Sequence, residues 1–465
     1  MRAVSVSLEE TRVRSQPVLL VMLGRPSGRL DEPIIVLRTG HLLGARITVP
    51  RAWTIPNLPH GRDGAVVPAP LLARALMAQG KRGRVRITAH VRCADGSAKS
   101  AAVSFDIDAH LDVSFDLAAP MLIPRASHAA VARRESVVAL GGRPPAWDIA
   151  LRTGAHASTE TWSPGGAWRR GADLVRPRAG HSAVARDDGT LLVLGGTSRL
   201  SQFDGRVLEV ESGDPEGGFR DCGALRVAHG RLAVAPLPDG RLLIVGSGGP
   251  GELFDPAKGS SRFVDALPAF ASCTATTLAD GTVLIVGEAD VLRWDSKTER
   301  VVPAARLQNG RRGHAATLLP DGRLLITGGI DPARADCVWT AELYDPTRDV
   351  WIDAGLMRCG RSSHQAVLRG QASVVLVGGC ARQTATRFGS TQRRDSDDVV
   401  YKHDVTIADV EQWDASPGGD GGSFTGLSAL PEIRDEPAVA RLASGAVIVT
   451  GGADDAATVI LKPTV

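Results

Sequence analysis

Four histidines recur at one place in a repeated sequence pattern, each three residues after an arginine. The pairs are Arg125/His128, Arg178/His181, Arg311/His314 and Arg361/His364. Imidazole is the commonest metal ligand among protein side chains, so these histidines are candidates for a metal centre. Because each stands at the same position of a different repeat, we interpret them instead as structural contacts at the start of an inner strand. We predict neither a metal site nor a cofactor.

Arginine and aromatic side chains are concentrated in three long connections between predicted strands, at 143–157, 330–340 and 380–407. Long connections in compact domains commonly carry function, and Arg and Trp are favoured in binding interfaces. We predict a binding surface formed by Trp147, Arg334, Trp339, Arg382, Arg387, Arg393, Arg394, Tyr401 and His403. The alternative is that 380–407 is an insertion without a binding role.

Three of the six cysteines, Cys337, Cys359 and Cys380, are predicted to lie at one end of neighbouring repeats. The cysteines show no metal-type CxxC spacing. A disulfide between two of these three residues is one interpretation if the protein is exported. Reduced thiols are the other.

The composition of the chain excludes several classes of function. Its 465 residues, with 43% hydrophobic and 23% charged, are typical of a folded protein larger than one ordinary core. A net charge of +3 gives no electrostatic footprint for nucleic acid. No apolar run reaches the length of a membrane-spanning helix.

The N-terminus predicts no secretory signal, because its only apolar run, at 17–23, is short and lacks a small-residue cleavage site. A cytoplasmic location is therefore the default expectation. A start codon further upstream would leave export or the cell envelope open.

An apolar run that ends in Gly-Gly, or in a variant of it, recurs seven times, beginning at Gly141, Gly195, Gly246, Gly287, Gly328, Gly378 and Gly451. Most of the intervals match the repeat lengths of β-propeller blades, about 40–50 residues. Repeated units of this length bury their apolar faces only by stacking on their neighbours.

Each repeat is predicted to form four strands. A tight turn such as Asp321-Gly322 follows the first strand, and the second strand, such as 324–327, is apolar on both faces. That pattern is typical of a strand buried between stacked sheets. The third and fourth strands carry separated aromatic residues, such as Tyr344 and Trp351 in the fifth repeat.

The seventh repeat ends without a fourth strand. Residues 112–118 have the fourth-strand pattern, since Phe115 precedes His128 by the same 13 residues that separate these positions in five other repeats. We predict that 112–118 pairs with 458–463 and closes a ring. The predicted fold is therefore all-β, with a seven-bladed propeller over 111–465.

The first 110 residues lack the repeat and are interpreted as a small β-sandwich-like domain. It is similar to immunoglobulin-like modules but has no Cys…Trp…Cys framework. The predicted elements are a short helix at 69–80, a hairpin turn at 93–96 and strands at 17–23, 33–37, 45–49, 84–91 and 101–107.

The repeat resembles the kelch family, in which Gly-Gly follows an apolar strand and separated aromatic residues follow in turn. The fifth repeat matches best, whereas the third and fourth have Gly246-Ser247 and Gly287-Glu288 at the paired glycines. The resemblance covers about 350 residues. It implies a β-propeller but no single activity, because kelch propellers serve as binding platforms and, less often, as enzymes.

The enzyme most similar in architecture is a copper radical oxidase resembling galactose oxidase. That family binds copper through two tyrosines and two histidines, with a cysteine cross-linked to one tyrosine. This chain has two tyrosines, and Tyr344 occupies the structural aromatic position, so only Tyr401 remains. The copper ligand set therefore does not carry over. An epimerase or lyase would need a clustered acid–base pair, which sequence spacing alone does not reveal.

We expect a monomeric, non-catalytic recognition or scaffold protein. It would bind a protein or carbohydrate partner through the face with the long connections or through the mouth of the central channel. The alternatives are a carbohydrate-active propeller enzyme (epimerase, lyase or oxidase-like) and a purely structural cell-envelope protein.

Overall fold

The computed structural model describes strands between residues 34 and 106 and then residues 115–462, apart from gaps at 145–153, 199–204, 230–231, 388–398, 407–408, 417–420, 428–429, 431–433, 435 and 453–455. The chain divides into two compact units. One contains Met1–Ser114, Gln383–Val410 and Gly426–Ile433, and the other, which carries the repeats, contains Phe115–Arg382, Glu411–Thr425 and Arg434–Val465.

Each repeat folds into a four-stranded antiparallel sheet, and in five of the seven a turn with glycine at positive φ joins the first two strands. In the fifth repeat, the Gly322 N–H donates to the Leu319 carbonyl at 3.0 Å, and Gly322 has a φ of 88°. An L-residue with a side chain rarely adopts that conformation. Seven such sheets follow one another, and we call them blades 1 to 7.

The strands of blades 1 to 4 are given from the innermost to the outermost. They are Ala129–Arg133, Ser136–Leu140, Thr159–Trp162 and Arg169–Arg170 in blade 1; Ser182–Ala185, Leu191–Leu194, Glu209–Asp214 and Gly218–Ala224 in blade 2; Leu232–Pro236, Leu242–Gly246, Glu252–Asp255 and Ser260–Phe263 in blade 3; and Thr274–Thr277, Thr282–Val286, Val291–Asp295 and Val301–Pro303 in blade 4.

Blades 5 to 7 follow the same order. They contain Ala315–Leu318, Leu324–Thr327, Thr340–Asp345 and Val350–Leu356 in blade 5; Gln365–Leu368, Ser373–Val377, Val410–Ala415 and Gly422–Gly426 in blade 6; and Ala438–Arg441, Val447–Thr450, Thr458–Leu461 and Phe115–Ala118 in blade 7. Each inner strand contacts the inner strands of the two adjacent blades, and the cycle closes between blades 7 and 1. The predicted all-β, seven-bladed propeller is thereby confirmed.

The last blade takes its outer strand from the beginning of the propeller. Phe115–Ala118 pairs antiparallel with Thr458–Leu461, in a register that places Leu117 opposite Val459. Strand pairing thus fastens the two ends of the ring to each other and leaves no open edge on the third strand of blade 7.

The apolar core lies between neighbouring blades, and the second strands form its centre. Leu284 and Val286 of blade 4 pack with Leu324 and Ile326 of blade 5 and with Tyr344. All four second-strand side chains of blade 5 are buried, as the two-faced apolar pattern predicts.

A buried arginine–glutamate pair fixes the connection that enters four of the blades. The pairs are Arg125–Glu160, Arg178–Glu211, Arg311–Glu342 and Arg361–Glu411. In blade 2 the guanidinium Nη2 lies 2.6 Å from the Glu211 carboxylate, and both side chains are fully buried. Glu211 also accepts the main-chain N–H groups of Val175 and Arg176, at 2.8 and 3.0 Å. One carboxylate therefore satisfies a buried charge and two buried donors together.

In blade 4, two apolar residues stand in place of the arginine–glutamate pair. Phe270 and Leu292 occupy the equivalent positions and pack in one apolar cluster. Pro268 stands in this connection and has no N–H to satisfy, while the Leu267 N–H donates to the Val264 carbonyl at 3.3 Å. The glutamate is thus present where buried main-chain donors require an acceptor.

In the N-terminal part, the structure describes seven strands and no side chains. The strands are Ile34–Leu37, Thr39–Leu42, Ala45–Thr48, Thr54–Leu58, Arg62–Val67, Arg84–Arg92 and Ala98–Asp106. They form one three-stranded and two two-stranded sheets. The predicted strand at 17–23, the helix at 69–80 and the turn at 93–96 lie outside the described residues, so the β-sandwich stays a prediction.

None of the described residues forms a helix that is long and apolar enough to cross a membrane.

Replacing Glu211 by leucine should lower the free energy of unfolding by about 3–5 kcal/mol, because Arg178 would stay buried without its counter-ion. Urea unfolding of the full chain measures the change. Glu216→Gln removes an exposed pair with Arg133 at 3.2 Å, and this control should cost less than about 1 kcal/mol. Equal effects of the two substitutions would show that the buried pair does not hold the blade.

Candidate functional site

One end of the propeller carries both the second-to-third and the fourth-to-first connections of every blade, because the strands of each blade are antiparallel. We call this end the loop face. The fourth-to-first connections lead directly into the inner strands, so their last residues surround the central axis at the loop face. In blades 1, 2, 5 and 6, the arginine of a buried arginine–glutamate pair lies two residues before this last residue.

The residue immediately before each histidine position forms a ring around the axis, which we call the axial ring. The residue at its seventh position, 231, is not among the described residues. The described members are Ser127, Gly180, Ser272, Gly313, Ser363 and Glu436. Hydrogen bonds run from blade to blade along this ring. The N–H groups of Ser127, Gly180 and Ser363 donate to the carbonyls of Glu436, Ser127 and Gly313, at 3.1, 2.8 and 2.9 Å.

Five of the six described residues of the axial ring have a left-handed backbone, which favours glycine. Gly180 and Gly313 have φ values of 63° and 67°, and Ser127, Ser363 and Glu436 have 51°, 54° and 45°. A residue with a side chain pays about 1–2 kcal/mol for this conformation. Two blades show that glycine is acceptable here, so three others retain side chains at an energetic cost. Retained backbone strain of this kind clusters at functional sites.

Ser127 and Glu436, two of these residues with left-handed backbone, lie close to the Arg143 side chain where blades 7 and 1 adjoin. The Ser127 hydroxyl donates to the Glu436 carboxylate, and Arg143 Nη2 lies 2.9 Å from the same carboxylate. The Glu436 side chain is 53% exposed and that of Arg143 is 21% exposed. We call these three residues the axial cluster. It offers an acid–base group, a hydroxyl and a guanidinium to a molecule at the mouth of the axis.

The main chain holds Arg143 in this position. Its N–H and carbonyl exchange two hydrogen bonds with Ala126, at 2.9 and 2.8 Å. Arg143 directly follows the paired glycines Gly141-Gly142, and Ala126 directly precedes Ser127. The guanidinium and the hydroxyl therefore project from adjacent, hydrogen-bonded segments of blade 1.

The repeated histidines make contacts between blades. His128 Nε2 lies 2.8 Å from the Thr450 hydroxyl of blade 7, and His364 Nε2 lies 2.8 Å from the Thr327 hydroxyl of blade 5. His314 lies 3.1 Å from the Thr274 hydroxyl of blade 4. In the part of the chain that the structure describes, no group of three or more His, Cys, Asp or Glu residues is arranged to hold a metal ion.

Burial keeps these histidines neutral. Desolvation and the neighbouring Arg178 charge lower the pKa of His181 to about 3. Desolvation, and to a smaller extent the Arg311 charge, lowers the pKa of His314 to about 4. At neutral pH the imidazoles therefore serve as uncharged packing and hydrogen-bonding groups.

Two of the predicted binding residues have described side chains, and both lie in the 330–340 connection of blade 5. The Arg334 side chain is 82% exposed and lies 3.8 Å from Asp331. Trp339 is 36% exposed, and its carbonyl accepts the Met357 N–H at 2.8 Å. Trp339 also covers Gly360, where an added Cβ would lie 2.8 Å from the indole nitrogen.

The other predicted binding residues are less fully described. Trp147, Arg393 and Arg394 fall in gaps of the described chain. The 380–407 connection contains the strands Cys380–Arg387 and Val399–Thr406, which pair in a two-stranded sheet. Arg382, Arg387, Tyr401 and His403 lie on these strands, and their side chains are not described. A binding role for these residues stays a prediction.

Ser127, Arg143 and Glu436 are not among the candidate residues predicted from the sequence. Two of them could have been recognised in the sequence. Ser127 and Glu436 stand immediately before the histidine position of their repeats, where two other repeats have Gly180 and Gly313. A side chain that replaces a repeated glycine marks a departure from the structural pattern. The meeting of Ser127 with Glu436, 309 residues away, follows only from closure of the ring.

The Tyr344 side chain is buried in the core, as the sequence predicts. Its hydroxyl donates to Asp349 at 2.7 Å, and its ring lies 4.9 Å from that of Trp351. Burial and the nearby Asp349 carboxylate raise the pKa of the phenol. Since the buried histidines serve blade contacts, the described side chains do not fit a tyrosine–histidine copper site.

No protein-family model matches the sequence, and no curated protein matches it. Solved structures do match. One of them is a fungal alcohol oxidase of the AA5 family in complex with copper, described as having catalytic diversity. The match has a TM-score of 0.57 and 14% sequence identity, and it covers 75% of this chain and 76% of that chain. At this identity the likeness establishes the fold.

This comparison contradicts two predictions made from the sequence. We predicted a non-catalytic recognition or scaffold protein and no enzyme, whereas the matching propeller is an oxidase. The comparison favours the alternative of a carbohydrate-active propeller enzyme. The two predictions rested on the lack of one copper ligand set in the sequence, which does not exclude other enzymes on the same fold.

Replacing Ser363 by glycine should leave the free energy of unfolding unchanged or raise it by up to about 1 kcal/mol, because glycine relieves the left-handed strain. Ser363→Val should lower it, since a β-branched residue is disfavoured in this conformation. Thermal unfolding of both variants measures the difference. Greater stability of the valine variant would contradict the left-handed assignment of the axial ring.

Acid should destabilise the propeller. The unfolded chain binds protons on histidine near pH 6.5, whereas folded His181 and His314 bind them near pH 3 and 4. The stability that the neutral imidazoles confer is therefore complete above about pH 6.5 and is lost as the pH falls towards 4.

His181→Leu should make this pH dependence shallower. The equivalent residue of blade 3 is already Leu232, which contacts Gly195 as His181 contacts Gly141. Urea unfolding between pH 7 and pH 4.5 measures the slope, which falls by up to about 1.4 kcal/mol per pH unit for each removed histidine. An unchanged slope would contradict burial of His181 in its neutral form.

Proposed function

We propose that this chain is a propeller enzyme that acts on a carbohydrate by proton transfer at the axial cluster. The observation that carries the proposal is the retention of the Ser127 and Glu436 side chains on left-handed backbone, where two other blades have glycine. The fold likeness to an alcohol oxidase supports an enzyme on this scaffold.

We also propose that the repeats are of the kelch type. The paired glycines support this, because they lie where adjacent blades approach closely. A Cβ on Gly328 would lie 2.3 Å from the Arg361 carbonyl and 2.8 Å from His364 of the next blade. Glycine is therefore required at the contact between blades, as a repeat with paired glycines implies.

The proposed chemistry is abstraction of a proton from a carbon next to a carbonyl or carboxyl group of a sugar. The Glu436 carboxylate accepts the proton, and the electron pair of the C–H bond stays on the substrate as an enolate-type anion. Arg143, which already faces the carboxylate at 2.9 Å, stabilises the developing negative charge. The Ser127 hydroxyl orients the carboxylate. Delivery of a proton to the opposite face of the anion gives epimerisation, whereas its return to the same face regenerates the substrate. Loss of a neighbouring oxygen substituent gives elimination.

The long connections would supply the remaining substrate contacts in this proposal. Arg334 and Trp339 lie on the loop face, at which the axial cluster also opens. Aromatic and arginine side chains suit the faces and carboxylates of sugar acids.

An oxidase is the second candidate, and the fold likeness favours it. The donor set of the described residues does not fit copper, so we derive no step through that metal. Copper content of the purified protein, measured by elemental analysis after copper loading, separates the two candidates. A stoichiometric copper ion together with peroxide release from galactose would support the oxidase.

Glu436→Gln should lower turnover of a sugar acid or polyuronate by about 10²–10⁴-fold, because the amide cannot accept the proton. Product formation from polygalacturonate and glucuronate, followed by NMR, measures turnover. Arg143→Met should also lower it. Glu216→Gln, which removes an exposed glutamate paired with Arg133, is the matched control and should keep full activity. Full activity of the Glu436 variant, or no turnover of either substrate by the native protein, would contradict the proposal.

A further inference from the structure

We propose that Cys337 and Cys380 form a redox-sensitive pair that closes to a disulfide between blades 5 and 6 on the loop face. The pair is distinct from the axial cluster, and the inference does not depend on the proposed activity. It rests on where two connections of neighbouring blades place the two cysteines.

The two cysteines are brought together by a ladder of main-chain bridges. Cys337 pairs with Ile330 within the second-to-third connection of blade 5, and Cys380 pairs with Ser362 in blade 6. The Gly329 N–H of blade 5 donates to the Arg361 carbonyl of blade 6 at 2.8 Å. This bond joins the two connections and fixes their relative position.

The thiol of one cysteine reaches the backbone of the other. Cys337 Sγ lies 3.6 Å from the Cys380 carbonyl oxygen. That carbonyl belongs to the residue whose Cα must lie about 4.4–6.8 Å from the Cα of Cys337 in a disulfide. In this proposal, a rotation of the Cys380 side chain brings its sulfur to that of Cys337.

The third cysteine of this end is placed differently. Cys359 is 3% exposed and its thiol lies 3.6 Å from the Gly360 carbonyl, in its own connection. The contact of Cys337 with Cys380 therefore favours this pair over one that includes Cys359.

The oxidant that closes the pair is a small-molecule disulfide such as oxidised glutathione. Cys380 is partly exposed, whereas Cys337 is 8% exposed, so exchange begins at Cys380. The Cys380 thiolate attacks one glutathione sulfur, which forms a mixed disulfide and releases one glutathione thiolate. The Cys337 thiolate then attacks the Cys380 sulfur and releases the second glutathione. Two protein thiols and one disulfide thus become one protein disulfide and two glutathione thiols.

The disulfide would join Cys380, the first residue of the 380–407 connection, covalently to the adjacent blade 5. Cys380 is the first residue of the strand Cys380–Arg387, which begins that connection. Reduction would break this bond, so the thiol–disulfide balance of the surroundings would set whether blades 5 and 6 are covalently joined at Cys380.

The test is a titration of the native full-length protein with glutathione redox buffers, followed by alkylation and mass spectrometry without reduction. Trypsin separates the three cysteines into peptides 335–348, 359–361 and 370–382. We expect a cross-linked pair of 335–348 with 370–382 in oxidising buffer, its loss in reducing buffer, and a rise of a few degrees in Tm on oxidation. Cys359→Ser should leave the cross-link in place.

Cys337→Ser should abolish the cross-link and the rise in Tm, and Cys380→Ala serves as a second variant if the first does not fold. Alkylation of both cysteines at every glutathione ratio would overturn the proposal. A cross-link that instead contains peptide 359–361 would also overturn it.

Discussion

The fold depends on a buried charge pair that recurs from blade to blade. Arg178 and Glu211 illustrate it, since both are fully buried and the carboxylate also accepts two main-chain N–H groups. A buried ion pair is not a strong source of stability compared with apolar packing. Its value here is positional, because in blades 1, 2, 5 and 6 it fixes the connection over its blade and so sets the direction in which the chain reaches the axis. Blade 4, with Phe270 and Leu292 in place of the pair, shows that apolar packing suffices where the connection lacks those donors.

The candidate site lies beside the connections that enter the blades. At five of the six described positions the last residue of the connection has a left-handed conformation, and hydrogen bonds join several successive blades there. Glycine is the usual residue at such a position, because it adopts the left-handed conformation without steric cost. At the seam between blades 7 and 1 the chain has Ser127 and Glu436 instead, with Arg143 against the carboxylate. The closure of the ring therefore also creates the one place in the described chain where we find an acid–base group, a hydroxyl and a cation clustered at the axis.

The sequence predicted the architecture well because repeats encode it locally. The Asp-Gly turns, the second strands buried on both faces and the constant spacing to the histidine position each reflect contacts within one blade or with the next. The pairing of Leu117 with Val459 is the one long-range contact that spacing also predicted, since 112–118 carries the fourth-strand pattern that the seventh repeat lacks. The axial cluster was not predictable in this way. Glu436 and Ser127 meet only when the ring closes, and the direction of their side chains depends on a backbone conformation that residue type disfavours.

The most direct measurement of the central claim is a crystal structure of the protein soaked with a sugar acid such as galacturonate. We expect the ligand at the mouth of the axis, with its carboxylate on Arg143 and a carbon-bound hydrogen facing Glu436. A ligand bound elsewhere on the propeller, with the Ser127, Arg143 and Glu436 side chains apart from one another, would contradict the account.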